Sequence, residues 1–231
     1  HHLVEEGWIW MLRFNNGITS VGLTTTDDVS PAPPQQIAAR YPALSRLLSQ
    51  ASFVAPGTEP VLSSRLQRCY DPVVGSRWLM LPTAALTLDP LHSTGIAHAL
   101  VGVERLWSII SAADQNLRLR SIAEYRQSFL SETDLLDRLV STAYRNMGDF
   151  GRFTTACMLY FAGAIRCEER YKIGETPDQL WNADDKEFTK MVAWACEYLC
   201  SEQDDYFEQI RERIAPWNTA GLMDASCHNR Y

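Results

Sequence analysis

The sequence predicts an α+β fold, rich in strands at the front and mostly helical behind. Three observations carry this. "GWIWMLRF" alternates its side chains, with Trp8, Trp10, Leu12 and Phe14 on one face and Ile9, Met11 and Arg13 on the other, the period-two pattern of a strand. Asn16-Gly17 follows closely and marks a tight turn, because both residues tolerate positive φ. From Thr94 to about residue 215 nearly every segment has helical periodicity.

Taken in order, residues 8–24 form a hairpin, with "ITSVGLT" returning from a two-residue type I′ turn at Asn16-Gly17. "SPAPPQQ" breaks the chain and starts a helix with Pro33 or Pro34 in its first turn, where no N–H is needed. Pro42 interrupts that helix and "ALSRLLSQA" resumes it. Residues 59–73, "EPVLSSRLQRCYDPV", and "SRWLMLP" read as strands, the second short, apolar and buried. In the helix over 94–112, Ile96, Leu100, Val103, Trp107 and Ile110 share a stripe, expected to be a core seam. Gly95, Ala99 and Gly102 form a second stripe, small enough for a backbone or ligand to approach. Further helices are expected over 121–130, 132–146, 151–170, 176–182 and 186–213, with 151–170 at the centre. The tail is irregular, with Trp217 and Leu222 as anchors. This gives a strand-rich region, 1–92, and a helical region, 93–231, made of the helix 94–112 and a C-terminal helical subdomain.

Composition narrows the function. A net charge of −7 and a pI near 5.2 oppose nucleic-acid binding, which needs clustered Lys and Arg. No run reaches the ~18 apolar residues of a membrane span, and the longest candidate, "TTACMLYFAGAI", suits a buried helix. Cysteines stand at 69, 157, 167, 196, 200 and 227 without a CxxC pair, and no His lies at zinc-site spacing. Cys196 and Cys200 share a helix face and read as core thiols rather than a metal pair, so no metal site is assigned. Free thiols and the lack of a signal-peptide pattern fit a cytoplasmic protein. GxGxxG, the phosphate-cradling loop of dinucleotide folds, does not occur.

One stretch combines a turn, a helix start and bare backbone: "LDPLHSTGIAHAL", residues 88–100. Asp89-Pro90 favours a turn. Ser93 or Thr94 can cap the helix through a side-chain hydroxyl. Gly95 leaves the first amides unshielded. These amides lack partners and carry partial positive charge, which suits an anion or a ring carbonyl. An ordinary capped helix has the same sequence, and the small-residue stripe is what adds weight to a ligand site. His92, just before the cap, can act as general acid or base or can simply pack. His98 reads as structural. Trp8 and Trp10 can line an aromatic slot or can serve as strand formers alone.

"GWIWMLRFNNGITSVGL", "WLMLPTAALTLDPLHSTGIAHAL" and "YRNMGDFGRFTTACMLYFAGAI", in this order and spacing, resemble the flavin-dependent halogenases, the tryptophan-halogenase-like branch of the FAD monooxygenases. The resemblance runs from Gly7 to the "NTAGLMD" tail and implies the C-terminal half of such a protein, hence an incomplete FAD-monooxygenase fold. The family's FAD-binding Gly-rich loop and its lysine belong to the other half. His1-His2, which alone could be a tag scar, then reads as native sequence. The family's W-x-W-x-I-P, near its substrate tunnel, is matched by Trp8, Trp10 and conservatively Leu12, with Arg13 in place of Pro. Its Ser-Thr-Gly, whose Thr and Gly amides lie by halide and flavin, is matched by Ser93, Thr94 and Gly95. Its flavin-contacting Gly-Asp is replaced by Pro82-Thr83, and its glutamate before Ser-Thr-Gly by His92. These departures count against tryptophan chlorination more than against proximity to flavin.

The resemblance implies an FAD-dependent oxidoreductase that uses reduced flavin from a flavin reductase and O₂ either to halogenate, with a halide, or to hydroxylate a small electron-rich aromatic substrate, with His92 as the candidate catalytic residue. The chain alone is expected to be inactive and to bind FAD weakly or not at all. A sheet with an open edge and an apolar face near Trp8 and Trp10 is expected too. Two alternatives are a flavoprotein that handles no halide, motivated by Arg13, His92 and Pro82-Thr83, and a non-enzymatic helical binding module.

Overall fold

The computed structural model describes residues 1–25, 32, 34–52, 54, 61–63 and 67–227. It is α+β, mostly helical with two small antiparallel sheets, and divides into two compact units, His1–Leu66 and Gln67–Tyr231.

The first unit contains strands β1 (His2–Val4), β2 (Gly7–Arg13) and β3 (Thr19–Thr25), followed by helices α1 (Pro34–Arg40) and α2 (Pro42–Leu48). The strands pair antiparallel in the order β1-β2-β3, with Trp10 opposite Gly22. The hairpin is where the alternation predicts it, but its turn is one residue longer. The Phe14 amide donates to the Ile18 carbonyl, the Gly17 amide donates to the Phe14 carbonyl, and Gly17 alone has positive φ, at 83°. This is a type I turn closed by a left-handed glycine, a three-residue loop, with Asn16 Oδ1 accepting from the Ile18 amide. Ile9, Val4, Ile37, Ala38 and Leu44 form the unit's core. Trp8 is buried, and the apolar exposure expected beside it lies instead toward the hairpin tip, at Leu12, Phe14, Ile18 and Val21. Two prolines start the helices: α1 begins at Pro34 and α2 at Pro42.

In the second unit, β4 (Arg68–Cys69) pairs with β5 (Leu86–Thr87), which follows the short helix α3 (Pro82–Ala85). Of the strand read over 59–73 only Arg68–Cys69 is a strand among the described residues, and residues 55–60 and 64–66 lie outside them. "SRWLMLP" shows a single bridge, Leu79 to Val74, rather than a strand. Val73, Ala85, Leu86 and Phe129 form one core cluster. Five long helices complete the unit: α4 (Gly95–Ser111), α5 (Gln115–Arg145), α6 (Phe150–Lys172), α7 (Lys186–Leu199) and α8 (Tyr206–Ile214).

Aspartates start three of these helices. Asp114, Asp149 and Asp185 accept backbone N–H bonds from the first turns of α5, α6 and α7. The two helices read over 121–130 and 132–146 are one, with neither Pro nor Gly in 115–145 to break it. The helix read over 186–213 is two. Arg152 of α6 donates to the carbonyls of Leu199, Ser201 and Gln203 at 2.8, 2.8 and 2.6 Å and so satisfies the chain where α7 stops. The helix read over 176–182 is a 3₁₀ turn, Leu180–Asn182, with Trp181 and Asn182 in the left-handed region at φ 55° and 61°. α6 is central as expected, burying Phe153, Ala156, Leu159 and Tyr160. Leu222 is buried and Trp217 donates to Asp185 Oδ2 at 2.8 Å, so both anchor the tail.

The largest departure is at α4. The apolar stripe expected to be a core seam faces outward, and the face that carries His98 and Gly102 is the buried one.

Candidate functional site

The turn before α4 is built on Asp89. Its Oδ1 accepts from the Leu91 amide at 2.8 Å and its Oδ2 accepts from the Tyr144 hydroxyl of α5. Burial pushes the Asp89 carboxyl up, only partly offset by these two bonds. Pro90–His92 form a 3₁₀ turn, the Ser93 amide donates to the Pro90 carbonyl at 3.0 Å, and Ser93 is left-handed at φ 54°, ψ 33°. Thr94 then occupies the N-cap position with helical dihedrals and no side-chain cap bond. The hydroxyl cap expected from Ser93 or Thr94 is absent. The joint is made by the left-handed Ser93 and the carboxylate of Asp89. The first amides of α4 have no intrahelical acceptor and lie at the positive end of its dipole. A Cβ added at Gly95 would meet nothing within 4 Å, so the approach to that end is open.

His92 packs behind this joint. Its ring stacks on Tyr160 of α6 at 4.3 Å between centroids and 7° between planes, and its Nε2 is buried without a hydrogen-bond partner among the described residues. Burial lowers its pKa to about 4, so the imidazole is neutral at neutral pH. The Tyr160 hydroxyl donates to the His92 carbonyl at 3.4 Å and accepts from Trp181 Nε1 at 3.2 Å. Trp181 can come this close because Gly163 lacks a side chain. A Cβ there would lie 2.7 Å from the Trp181 carbonyl oxygen.

Sequence reasoning missed the charged group beneath. Glu132 of α5 is fully buried. It accepts from Arg105 at 2.7 and 3.1 Å, from the Leu180 amide at 2.7 Å, and bonds His98 Nε2 at 3.0 Å. Burial pushes its carboxyl up, but His98 and Arg105 outweigh that and hold it below the usual range. His98 is thus a hydrogen-bonded structural residue, as read. A detectable signal existed: His98 and Arg105 lie on the small-residue face of α4, and Glu132 interrupts the apolar face of α5 that runs through Phe129, Leu136 and Leu139. The cluster ties α4 to α5 and to the 178–182 turn.

The remaining site residues fall as follows. Pro82 is buried against α4, where a Cβ on Gly102 would lie 2.3 Å from its Cδ. Thr83 is exposed. The second unit therefore brings together Pro82, His92, Ser93, Thr94 and Gly95 on or beside α4. Trp8 and Trp10 belong to the first unit, their rings tilted at 5.8 Å with His1 edge-on to Trp8, and the Trp10 indole lies over the bare Gly22. Two shallow cavities, of about 180 and 340 Å³, lie around Arg170 and around Arg152, away from residues 92–95. No group of three or more metal-ligating side chains occurs among the described residues, and none of their helices is long and apolar enough to cross a membrane.

No family model matches the chain. Two curated proteins do. Tetracycline 7-halogenase of Kitasatospora aureofaciens is 27% identical over 71% of this chain, and monodechloroaminopyrrolnitrin halogenase PrnC of Pseudomonas fluorescens is 25% identical over 93% of it. By sequence this chain is related to the halogenases. It spans 32% and 40% of the length of these relatives. Among solved structures, halogenase PltM superposes with a TM-score of 0.73, and its complex with ethyl mercury and mercury with 0.74, each at 19% identity. These matches cover 98% and 94% of this chain and 53% and 51% of the PltM chain. The α+β arrangement above is therefore one that a halogenase also adopts.

Proposed function

We propose that this chain is the C-terminal part of a flavin-dependent halogenase-type oxidoreductase, an incomplete FAD-monooxygenase fold that acts on a small electron-rich aromatic. The observation that carries the reading is its sequence similarity to two curated halogenases, together with a shared fold over almost its whole length. Reduced flavin, delivered by a flavin reductase, and O₂ supply the oxidising equivalent for a bound halide. The protein supplies position and shelter.

The residues present fit one edge of such a site. The start of α4 is open at Gly95, after the left-handed Ser93, and carries the Thr94 and Gly95 amides. In this reading those amides hold a halide or a flavin ring carbonyl, which suits a positive helix end. Pro82, with Thr83 beside it, sets the face of α4 two turns further on. In the first unit, taken by itself, Trp10 is half-buried with the buried Trp8 against it and is the member of the pair that could meet an aromatic substrate. His92, the candidate catalytic residue, is neutral and turned into the protein, so it replaces an anionic glutamate with an uncharged ring. A substrate cation or an acid–base step that needs a carboxylate would be poorly served. The expected substrate is accordingly an aromatic other than tryptophan.

The test supplies protein from the complete reading frame with reduced FAD, O₂, bromide and a panel of indoles and phenols. Brominated product from at least one of them is expected. Hydroxylated product or none, across the panel, would overturn the halogenase reading.

A further inference from the structure

Along the outer face of α4, Ile96, Leu100, Val103, Trp107 and Ile110 recur in alternating steps of four and three residues, the spacing of a coiled-coil seam. They are 76, 66, 51, 70 and 60% exposed. The opposite face, with His98, Gly102 and Ile109, is what the second unit buries. Of the two charges on α4, Arg105 is committed to Glu132, which leaves Glu104 on the outer side. A contiguous apolar stripe of this kind marks an interaction surface, and its regularity fits a helix packed alongside rather than a loop or a small ligand.

The length of the matched halogenase chain supplies a candidate occupant. The PltM fold is matched over nearly all of this chain while about half of the PltM chain lies outside the match. A polypeptide of that length carries as much sequence again. We propose that the α4 seam seats an apolar helix from that further half of a halogenase-length protein, with Trp107 as the buried anchor. The inference takes the length of the protein from the halogenase reading and nothing from its flavin chemistry. The seam starts at Ile96, beside Gly95, so a helix docked on it also brings the second half up to the open amides of α4.

The experiment is hydroxyl-radical footprinting with peptide-level mass spectrometry, on the 231-residue chain and on the product of the complete reading frame. Oxidation of Trp107 and Leu100 is expected to fall several-fold in the longer protein and to stay high in the shorter one. Equal oxidation in both overturns the proposal. So does protection in both that tracks a dimer in sedimentation and is lost in W107E, because a second copy would then be the occupant. Flavin binding and the footprint are read separately. Protection of Trp107 without flavin binding sinks the functional reading alone, and flavin binding with Trp107 open sinks the docking proposal alone.

Discussion

His92 sits in van der Waals contact with one aromatic ring and edge-on to a second, Phe161, at 6.1 Å, and among the described residues burial, with no carboxylate opposing it, sets its charge state. Its folded pKa of about 4 lies below the value of about 6.5 expected in the unfolded chain. The sign follows directly. Above pH 6.5 neither state is protonated and the native state keeps its full stability. As pH falls toward 4 the unfolded state takes up a proton that the native state refuses, and stability is lost. Between pH 7 and pH 4.5 this amounts to about 2–3 kcal/mol. H92F keeps the stacked ring and removes the titration. In urea unfolding at the two pH values the variant should lose about that much less stability than the wild type. Equal losses would show that His92 is not buried neutral. At this scale the sequence displayed the turn residues and the bare glycine, because their backbone preferences are local. It hid the role of Asp89, whose partner Tyr144 lies 55 residues away, and the role of Glu132, whose partners come from α4 and from the turn at Leu180.

Elements were legible where a single local rule decides them and misread where packing chooses between faces. The β2–β3 hairpin follows from period-two alternation and a glycine turn. The α4 helix also follows from periodicity, but its two stripes compete, and the more apolar one points outward. The small-residue face is chosen instead because it fits what lies against it: the Pro82 ring occupies the space a side chain at position 102 would need. G102V should therefore push α3 off α4 at a cost of about 1–3 kcal/mol, as overpacking does. G95A makes the contrast. Its Cβ meets nothing, and the change should leave stability within about 0.5 kcal/mol of wild type. Thermal and urea melts of the two variants check this. Equal destabilisation by both would mean that α4 does not present this face to Pro82. The joined α5 and the split α7–α8 follow the same logic. Absence of a breaker allows one long helix, whereas the carbonyls at the end of another are bonded by Arg152, from a distance that no local pattern reveals.

At the scale of the molecule, the change from strand to helix near residue 92 is a change of local pattern, whereas compactness is set by packing. Val73, Ala85 and Leu86 cluster with Phe129 of α5, and Tyr125 of α5 donates to the Met80 carbonyl at 2.6 Å. Residues 67–87 thus share the core of the helices, and the second unit begins at Gln67. The first unit has a core of its own in Val4, Ile9, Ile37, Ala38 and Leu44, a small set for independent stability. The second unit holds the long helices and a buried, fully bonded Glu132, and has the size of an ordinary domain. Residues 67–231 expressed alone should therefore fold. Their circular dichroism should show the helical content of α4 to α8, and they should unfold cooperatively within roughly a few degrees of the main transition of the whole chain. A fragment that keeps far-ultraviolet helix but loses near-ultraviolet signal and cooperativity would show that the helical unit needs the first sixty-six residues to fix its packing. In that case the amides at the start of α4 would be ordered only in the whole chain, and binding at that helix end would have to be studied there.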